Sequence, residues 1–136
     1  MKFVLLGQSL ALIAAARFIR SRDTVAEIVI LSCDGKVPYD RSLLPQLISK
    51  KIKERDLFRE AEDFLQAEDV ALVLDKEVTR INFNRRRIFL SDKQNMDYDV
   101  LIMADAPQVR MPNLKGIRRT GIFHLARLDT VKGLLR

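Results

Sequence analysis

The stretch VLLGQSLALIAAARFIR, at residues 4–20, decides the fold. It opens with an apolar run typical of a buried strand, reaches a glycine at Gly7, and continues with a helical pattern. The apolar residues of that pattern recur near the 3.6-residue period: Leu10, Ile13, Ala14 and Phe18. A second run, AEIVILS at 26–32, is continuously apolar and β-branched, as in a strand buried on both faces of a parallel sheet. Together they predict a βαβ unit whose helix covers about residues 9–21.

The turn between the first strand and the helix has part of a dinucleotide-binding pattern. Gly7 stands at the first glycine, which permits the tight turn, and Ser9 stands where a second glycine lets backbone approach a pyrophosphate. Leu12 replaces the third glycine, so its bulk should push the helix from the strand or rotate it. Asp34 follows the second strand, where a carboxylate can accept hydrogen bonds from ribose hydroxyls. Singly these are ordinary turn and cap residues, but their order favours a nucleotide site.

The rest of the chain predicts the fold class. Helices are expected at about 43–53 and 57–67, strands at 70–74, 97–104 and 122–125, and a last helix at 128–135. EVTRINF and RRIFLSD alternate as in a hairpin. This order predicts an α/β, Rossmann-like FAD/NAD(P)-binding fold with a central parallel sheet and a small antiparallel β-meander.

Composition restricts the function classes. The single cysteine, Cys33, excludes an internal disulfide framework and favours a cytoplasmic location, and no apolar run reaches the ~20 residues that span a bilayer. An amino-terminal signal peptide is the weaker alternative, because Gly7 to Ser9 interrupt the apolar run. Net charge is +6, but the basic clusters are short and lack interleaved aromatics, so nucleic-acid binding has charge as its only support and is not expected. His124 is the one histidine, and neither a metal cluster nor a catalytic triad is predicted.

Three later segments carry a family resemblance. VPYDRSLLPQLI at 37–48 matches a P-Y-x-R-P-x-L-S-K pattern at four positions: Pro38, Tyr39, Arg41 and Leu44. DKEVTRINFNRRRIFLSD resembles G-x-x-V-x-x-I-D, with Val78 at the valine. MDYDVLIMADAPQVRMP resembles Y-D-x-L-[IV]-[IL]-A-T-G-x-x-P-R-x-x-P, with matches at Tyr98, Asp99, Leu101, Ala104 and Arg110. The chain thus resembles the FAD-binding domain of the pyridine nucleotide–disulfide oxidoreductase superfamily, of the rubredoxin or ferredoxin reductase and NADH nitrite reductase flavin-module type.

The resemblance implies FAD as the cofactor and assigns residues to it. Gly7, Ser9 and Leu10 would face the pyrophosphate, Asp34 the ribose, Arg41 the phosphates, Val78 the adenine, and Ala104 and Asp105 the rest of the nucleotide. The departures from the family pattern lie at Ser9, Leu12, Gln46, Asp105 and Ala106. An acidic Asp105 would repel a phosphate unless it is paired, for instance with Arg41.

The resemblance also implies a component that does not act alone. TGIFHLARLDTVKGL resembles the segment that leads such enzymes into their NADH domain. We therefore expect residues 1–136 to form a single FAD/NAD(P)-binding-type domain, truncated before the NADH domain, that belongs to an NAD(P)H-dependent flavoprotein oxidoreductase. The remainder of a longer chain, or a partner subunit, would complete it. The alternative is a cofactor-free protein-interaction module that retains the flavoprotein fold.

Overall fold

The computed structural model describes residues 1–32, 34–104 and 109–136. Its elements in chain order are β1 (Lys2–Gly7), α1 (Ala11–Arg22), β2 (Glu27–Leu31), α2 (Leu44–Ile48), α3 (Arg59–Ala67), β3 (Ala71–Val73), β4 (Val78–Asn82), β5 (Arg87–Leu90), β6 (Asn95–Asp97), β7 (Val100–Ala104) and α4 (Leu128–Leu134). The chain divides into two compact units, one of Met1–Tyr39 with Phe58–Ala106 and one of Asp40–Leu57 with Pro107–Arg136.

The first unit contains a four-stranded parallel sheet in the order β3-β2-β1-β7. Leu6 of β1 lies opposite Leu31 of β2, and Gly7 lies opposite Ala104 of β7. Because parallel neighbours need a crossover, α1 connects β1 to β2, as the βαβ pattern predicts. The carboxyl ends of β1, β2 and β7 consequently meet at one edge.

The same unit contains a three-stranded antiparallel sheet, β4-β5-β6. Its first hairpin turns through Arg86, which has a φ of 48°, and the Asn82 side chain accepts a hydrogen bond from the Arg85 N–H at 3.0 Å. Asn is among the residues that favour such turns. A parallel sheet with a small antiparallel meander is therefore present, and the predicted fold class is confirmed.

Two clusters of buried side chains cover the two faces of the parallel sheet. Successive strand residues point to opposite faces, so Leu5 and Ile30 join one cluster while Val4 and Leu31 join the other. The first cluster is completed by α1 and α3, and the second by residues of the meander and its exit: Ile88, Leu90 and Tyr98. Helices therefore cover one face and the meander covers the other.

The buried face of α1 differs from the predicted one. It consists of Leu12, Ile13, Ala16 and Ile19. Of the residues predicted to form this face, only Ile13 is buried, and Phe18 is 63% exposed. The helix also begins at Ala11, two residues later than predicted.

Two predicted elements differ from the structure by more than one or two residues at their ends. The helix predicted at 43–53 ends at Ile48, because Lys50 adopts a φ of 58° and cannot continue it. The strand predicted at 97–104 is divided between two sheets. Tyr98 N–H donates to the Arg86 carbonyl in the meander, whereas Asp99 N–H donates to the Lys2 carbonyl in the parallel sheet, both at 2.9 Å.

The strand predicted at 122–125 is wrong. These residues are irregular in the second unit, and the Phe123 ring packs beside Gly133 of α4 instead of entering a sheet. Its neighbours Ile122 and Leu125 are 48% and 49% exposed. The predicted final helix is confirmed as α4. The longest helix, α1, has 12 residues, and within the described ranges none has the length and apolar character of a membrane span.

Candidate nucleotide-binding site

The turn that follows β1 is hydrogen-bonded to the end of β7. Gly7, the last residue of β1, has a φ of 138°, a conformation that side chains disfavour and glycine tolerates. The Ser9 N–H donates a hydrogen bond to the Ala104 carbonyl at 3.3 Å. The structure therefore brings together three residues of the predicted site, Gly7, Ser9 and Ala104, at the carboxyl edge of the sheet.

The Ser9 hydroxyl lies at the start of α1. Its oxygen accepts a hydrogen bond from the Ala11 N–H at 3.2 Å, and the Ser9 carbonyl accepts one from the Leu12 N–H at 3.0 Å. A hydroxyl that accepts one bond retains its own hydrogen for donation. The serine thus satisfies part of the helix start and also presents a donor suited to a phosphate oxygen.

The two leucines near the helix start have different surroundings. Leu12, at the third glycine position, is completely buried in the first core cluster beside Leu5 and Ile13. Leu10 is 40% exposed and precedes the first helical residue. Leu12, which replaces the third glycine, therefore belongs to the core, whereas the predicted site residue Leu10 lies at the surface of the turn.

Asp34 lies just beyond the carboxyl end of β2, and its carboxylate is held in place. Its Oδ1 atom accepts hydrogen bonds from the Ser32 hydroxyl at 3.1 Å and from the Lys36 N–H at 3.2 Å. A carboxylate has about four lone-pair positions, so these two bonds leave it capacity to accept a ribose hydroxyl. Because β2 is the immediate neighbour of β1, Asp34 and the glycine turn lie at the same edge of the sheet.

Sequence reasoning missed a second carboxylate at this edge. Asp75, just after β3, lies against Gly35, and a Cβ built on that glycine would stand 2.9 Å from the Asp75 Cγ. Gly35 has a φ of 64° and Asp75 has a φ of 57°. The signal was in the sequence, because Asp75 stands at the glycine of the G-x-x-V hairpin pattern that ends at Val78.

The remaining predicted residues belong to other elements of the chain. Val78 begins β4, is half-buried, and packs against the second core cluster of the first unit. Arg41 belongs to the second unit, in the 3-10 helix Arg41–Leu43. Three residues named in the sequence analysis lie outside the described residues: Cys33, Asp105 and Ala106. The predicted pairing of Asp105 with Arg41 therefore lies outside them too.

The groups at the carboxyl edge fit an adenine dinucleotide. Gly7 supplies a turn without a side chain, the Ser9 hydroxyl supplies a donor, and Asp34 supplies a fixed acceptor. A pyrophosphate needs donors and close backbone approach, while a ribose diol needs an acceptor. The arrangement thus presents a donor and an acceptor of the kinds that a nucleotide requires. In the described part of the chain, no group of three or more His, Cys, Asp or Glu residues is placed to hold a metal ion.

The resolved pKa shifts belong to ion pairs of the meander. A hydrogen bond from Arg87 lowers the pKa of the Asp97 carboxyl, and their contacts are 2.5 and 2.8 Å. A hydrogen bond from Lys76 likewise lowers the pKa of Asp92. These exposed pairs connect neighbouring strands and loops, so we interpret them as structural.

A depression of about 940 Å³ lies at the opposite edge of the parallel sheet, beside the end of α1 and the start of β2. Arg20 lines it, but its guanidinium donates to the carbonyls of Thr24 and Ala26 at 2.9 Å and of Glu68 at 3.0 Å. The arginine therefore joins three backbone segments, and we assign no ligand to this depression.

A family model described as pyridine nucleotide-disulphide oxidoreductase matches residues 1–136. The chain belongs to the pyridine nucleotide-disulphide oxidoreductase family. It corresponds to the FAD-binding domain of these oxidoreductases, as the sequence motifs predicted.

Two curated relatives illustrate the similarity. The NADH-dependent phenylglyoxylate dehydrogenase subunit epsilon of Aromatoleum evansii is 26% identical over 128 residues, which cover 94% of this chain and 30% of the relative. The anthranilate 1,2-dioxygenase system ferredoxin–NAD(+) reductase component of Burkholderia cepacia is 31% identical over 110 residues, which cover 79% and 27%. The chain thus spans less than a third of the length of these oxidoreductases.

A solved structure agrees in fold. The NAD-dependent persulfide reductase from A. fulgidus superposes with a TM-score of 0.83 at 24% identity, covering 99% of this chain and 26% of that one. At this identity the likeness shows the fold alone.

Proposed function

We propose that this chain is the FAD-binding-type domain of an NAD(P)H-dependent flavoprotein oxidoreductase, and that residues 1–136 form one such domain. The observation that carries the proposal is the geometry of the carboxyl edge. The Gly7 turn is tied to Ala104 through the Ser9 N–H, and the fixed Asp34 carboxylate stands at the end of the next strand. In open parallel α/β sheets, ligands bind outside the carboxyl ends of the strands.

Each residue has a defined task in this proposal. Gly7 gives the pyrophosphate room, and the Ser9 hydroxyl and the backbone at Leu10 donate to its oxygens. Asp34 accepts from the ribose hydroxyls, Val78 borders the adenine, and Ala104 and Asp105 border the remainder of the nucleotide. Arg41 supplies positive charge to the phosphates. When bound, FAD would supply redox chemistry, with a nicotinamide cofactor as the hydride donor.

The domain would act with other parts of an assembly. The two relatives are a dehydrogenase subunit and a component of a dioxygenase system, and this chain spans less than a third of each. We therefore propose that the nicotinamide site is carried by a partner subunit or by the remainder of a longer chain. We also propose a cytoplasmic location, for which the single cysteine is the supporting observation.

A titration with FAD tests the cofactor assignment. The purified protein is inspected for a flavin absorption spectrum as isolated, and is then titrated with FAD while flavin fluorescence is recorded. We expect saturable binding that ADP competes away, since the recognised residues face the adenosine and pyrophosphate groups. A colourless protein that takes up neither FAD nor ADP would overturn the proposal.

A matched pair of variants ties this binding to the proposed residue. Asp34→Asn removes the charge of the ribose acceptor, and we expect it to weaken FAD binding about tenfold, as expected for loss of a charged hydrogen bond. Asp23→Asn is the control, because the Asp23 carboxylate also accepts from the N–H two residues later, at 3.1 Å, but at the amino end of β2. Equal effects of the two substitutions would contradict the assignment of Asp34.

The second candidate is the cofactor-free interaction module. It is favoured by the apolar side chains that the second unit exposes: Met111, Leu114, Ile122, Phe123, Leu125, Leu134 and Leu135. The same titration separates the two candidates, because an interaction module would bind neither FAD nor ADP.

A further inference from the structure

Asp75 and Gly35 are in close contact at the edge of the sheet where the nucleotide is proposed to bind. A Cβ built on Gly35 would lie 2.9 Å from the Asp75 Cγ, closer than real Cβ contacts, and 3.0 Å from its Oδ2. The Asp75 carboxylate therefore lies directly over the Gly35 backbone. No side chain larger than hydrogen fits at position 35 while Asp75 keeps this position.

This contact lies immediately beside the proposed ribose acceptor. Gly35 follows Asp34 in sequence, and the carbonyl of Val73, at the end of β3, accepts a hydrogen bond from the Ser32 N–H at 2.9 Å. The segments that follow β2 and β3 thus leave the sheet side by side. The Asp75 side chain thus reaches from the segment that follows β3 to Gly35 in the segment that follows β2, one residue from Asp34.

We propose that the Asp75 carboxylate occupies part of the adenosine pocket of this domain and thereby weakens its binding of adenine dinucleotides. The proposal rests on the proposed function. In this proposal an adenosine seated between Asp34 and Val78 lies against the segments that follow β2 and β3, where the Asp75 carboxylate is in contact with Gly35. Binding then requires the side chain to leave its contact with Gly35, and this rearrangement lowers the affinity.

The variant Asp75→Gly tests the inference. It removes the carboxylate and also relieves a φ of 57°, which glycine adopts without strain, so the fold should be retained. Asp69→Gly is the matched control, because Asp69 has a φ of 49° and precedes β3, at its other end. It gives the same backbone relief away from the proposed pocket. Asp75→Asn keeps the size of the side chain and removes its charge.

Dissociation constants for FAD and for ADP are measured on the wild type and the three variants by fluorescence titration and competition. We expect Asp75→Gly to bind both ligands at least about tenfold more tightly than the wild type. Asp69→Gly should stay within about twofold, and Asp75→Asn within about threefold, because volume rather than charge closes the pocket. Thermal unfolding of each variant verifies that it is folded.

The outcomes separate this inference from the proposed function. If the wild type already binds FAD as tightly as Asp75→Gly, or if Asp75→Asn matches Asp75→Gly, occupation of the pocket is overturned while the FAD-binding domain stands. If Asp69→Gly tightens binding equally, backbone relief is the cause and the inference fails. If no variant binds FAD or ADP, the proposed function fails together with the inference.

Discussion

Replacing Leu12 with alanine should destabilise the protein strongly, although the residue stands in a cofactor-binding motif. Leu12 is completely buried among the side chains of the first core cluster, including Leu5 and Ile13. The substitution removes three carbon atoms, which at about 0.8 kcal/mol each correspond to about 2.4 kcal/mol of transfer free energy. The cavity that remains raises the expected loss in the free energy of unfolding to about 3–4 kcal/mol.

Urea denaturation followed by circular dichroism measures this loss, with Leu10→Ala as the matched control. Leu10 is 40% exposed and only two residues away, so its truncation should cost less than about 1 kcal/mol. The slope of the unfolding free energy against urea should be the same in both variants, because the surface exposed on unfolding hardly changes. A loss below about 1 kcal/mol for Leu12→Ala, or equal losses for the two, would refute the placement of Leu12 in the core.

Three further outcomes are expected. Gly7→Ala should lower the free energy of unfolding by about 1–3 kcal/mol because of the φ of 138°, whereas Gly133→Ala, whose Cβ would only touch the Phe123 ring, should be neutral or stabilising in thermal unfolding. Arg20→Ala should cost about 1–3 kcal/mol in urea denaturation by leaving three carbonyls without their donor, while Arg22→Ala at an exposed position should change little. Arg87→Gln should raise the pKa of the Asp97 carboxyl toward 3.8, as carboxyl NMR would show. The lowered pKa means that the pair stabilises the fold above pH about 3.8 and that this contribution is lost as pH falls through the folded-state pKa. Equal losses of stability in Gly133→Ala and Gly7→Ala would contradict the argument from the φ of Gly7. Equal losses in Arg22→Ala and Arg20→Ala would contradict the role given to the Arg20 hydrogen bonds. An unchanged Asp97 pKa in Arg87→Gln would contradict the ion-pair argument.

The parallel sheet could be predicted from sequence because each of its signals is local. β1 and β2 are continuous apolar runs, and a glycine and an acidic residue stand at their ends, so the order of elements along the chain already implies a crossover. The meander was equally visible, because alternation in β4 and β5 places Ile88 and Leu90 on one face, where they are buried. The same patterning predicted the final helix.

The errors arise where long-range contacts choose between equivalent local patterns. The start of α1 offers several apolar residues: Leu10, Leu12, Ile13 and Ala14. The helical period alone therefore does not decide which side of α1 faces the sheet, and in the structure Leu12 and Ile13 are the buried ones. The run from 97 to 104 is uniformly strand-like, but Tyr98 and Asp99 bond to different sheets. Residues 122–125 have the composition of a strand without a neighbouring strand to pair with, and Phe123 packs on Gly133 of α4 instead.

The site could be predicted in part for the same reason. Gly7, Ser9 and Asp34 could be placed at one edge of the sheet because the βαβ unit brings them there through its own connectivity, while their roles toward a nucleotide stay predictions. The contact of Gly35 with Asp75 joins residues that are forty positions apart in the sequence and depends on the pairing of β2 with β3. Arg41 has only the motif match in its support, because it belongs to the second compact unit and no contact within the first unit tests its assignment, which stays a prediction.

The two residues that replace glycines of the motif affect different properties of the molecule, because the second and third glycines have different roles. The third glycine of the motif governs how helix and strand pack, and its replacement, Leu12, lies wholly inside the core. The second glycine governs backbone approach to a ligand, and its replacement, Ser9, places a hydroxyl at the helix start. Stability and nucleotide affinity should therefore be separable within six residues. Truncating Leu12 should lower the free energy of unfolding while leaving the FAD dissociation constant of the folded fraction within about threefold of wild type. A parallel loss of both would mean that the helix position, rather than the turn and Asp34, sets the affinity.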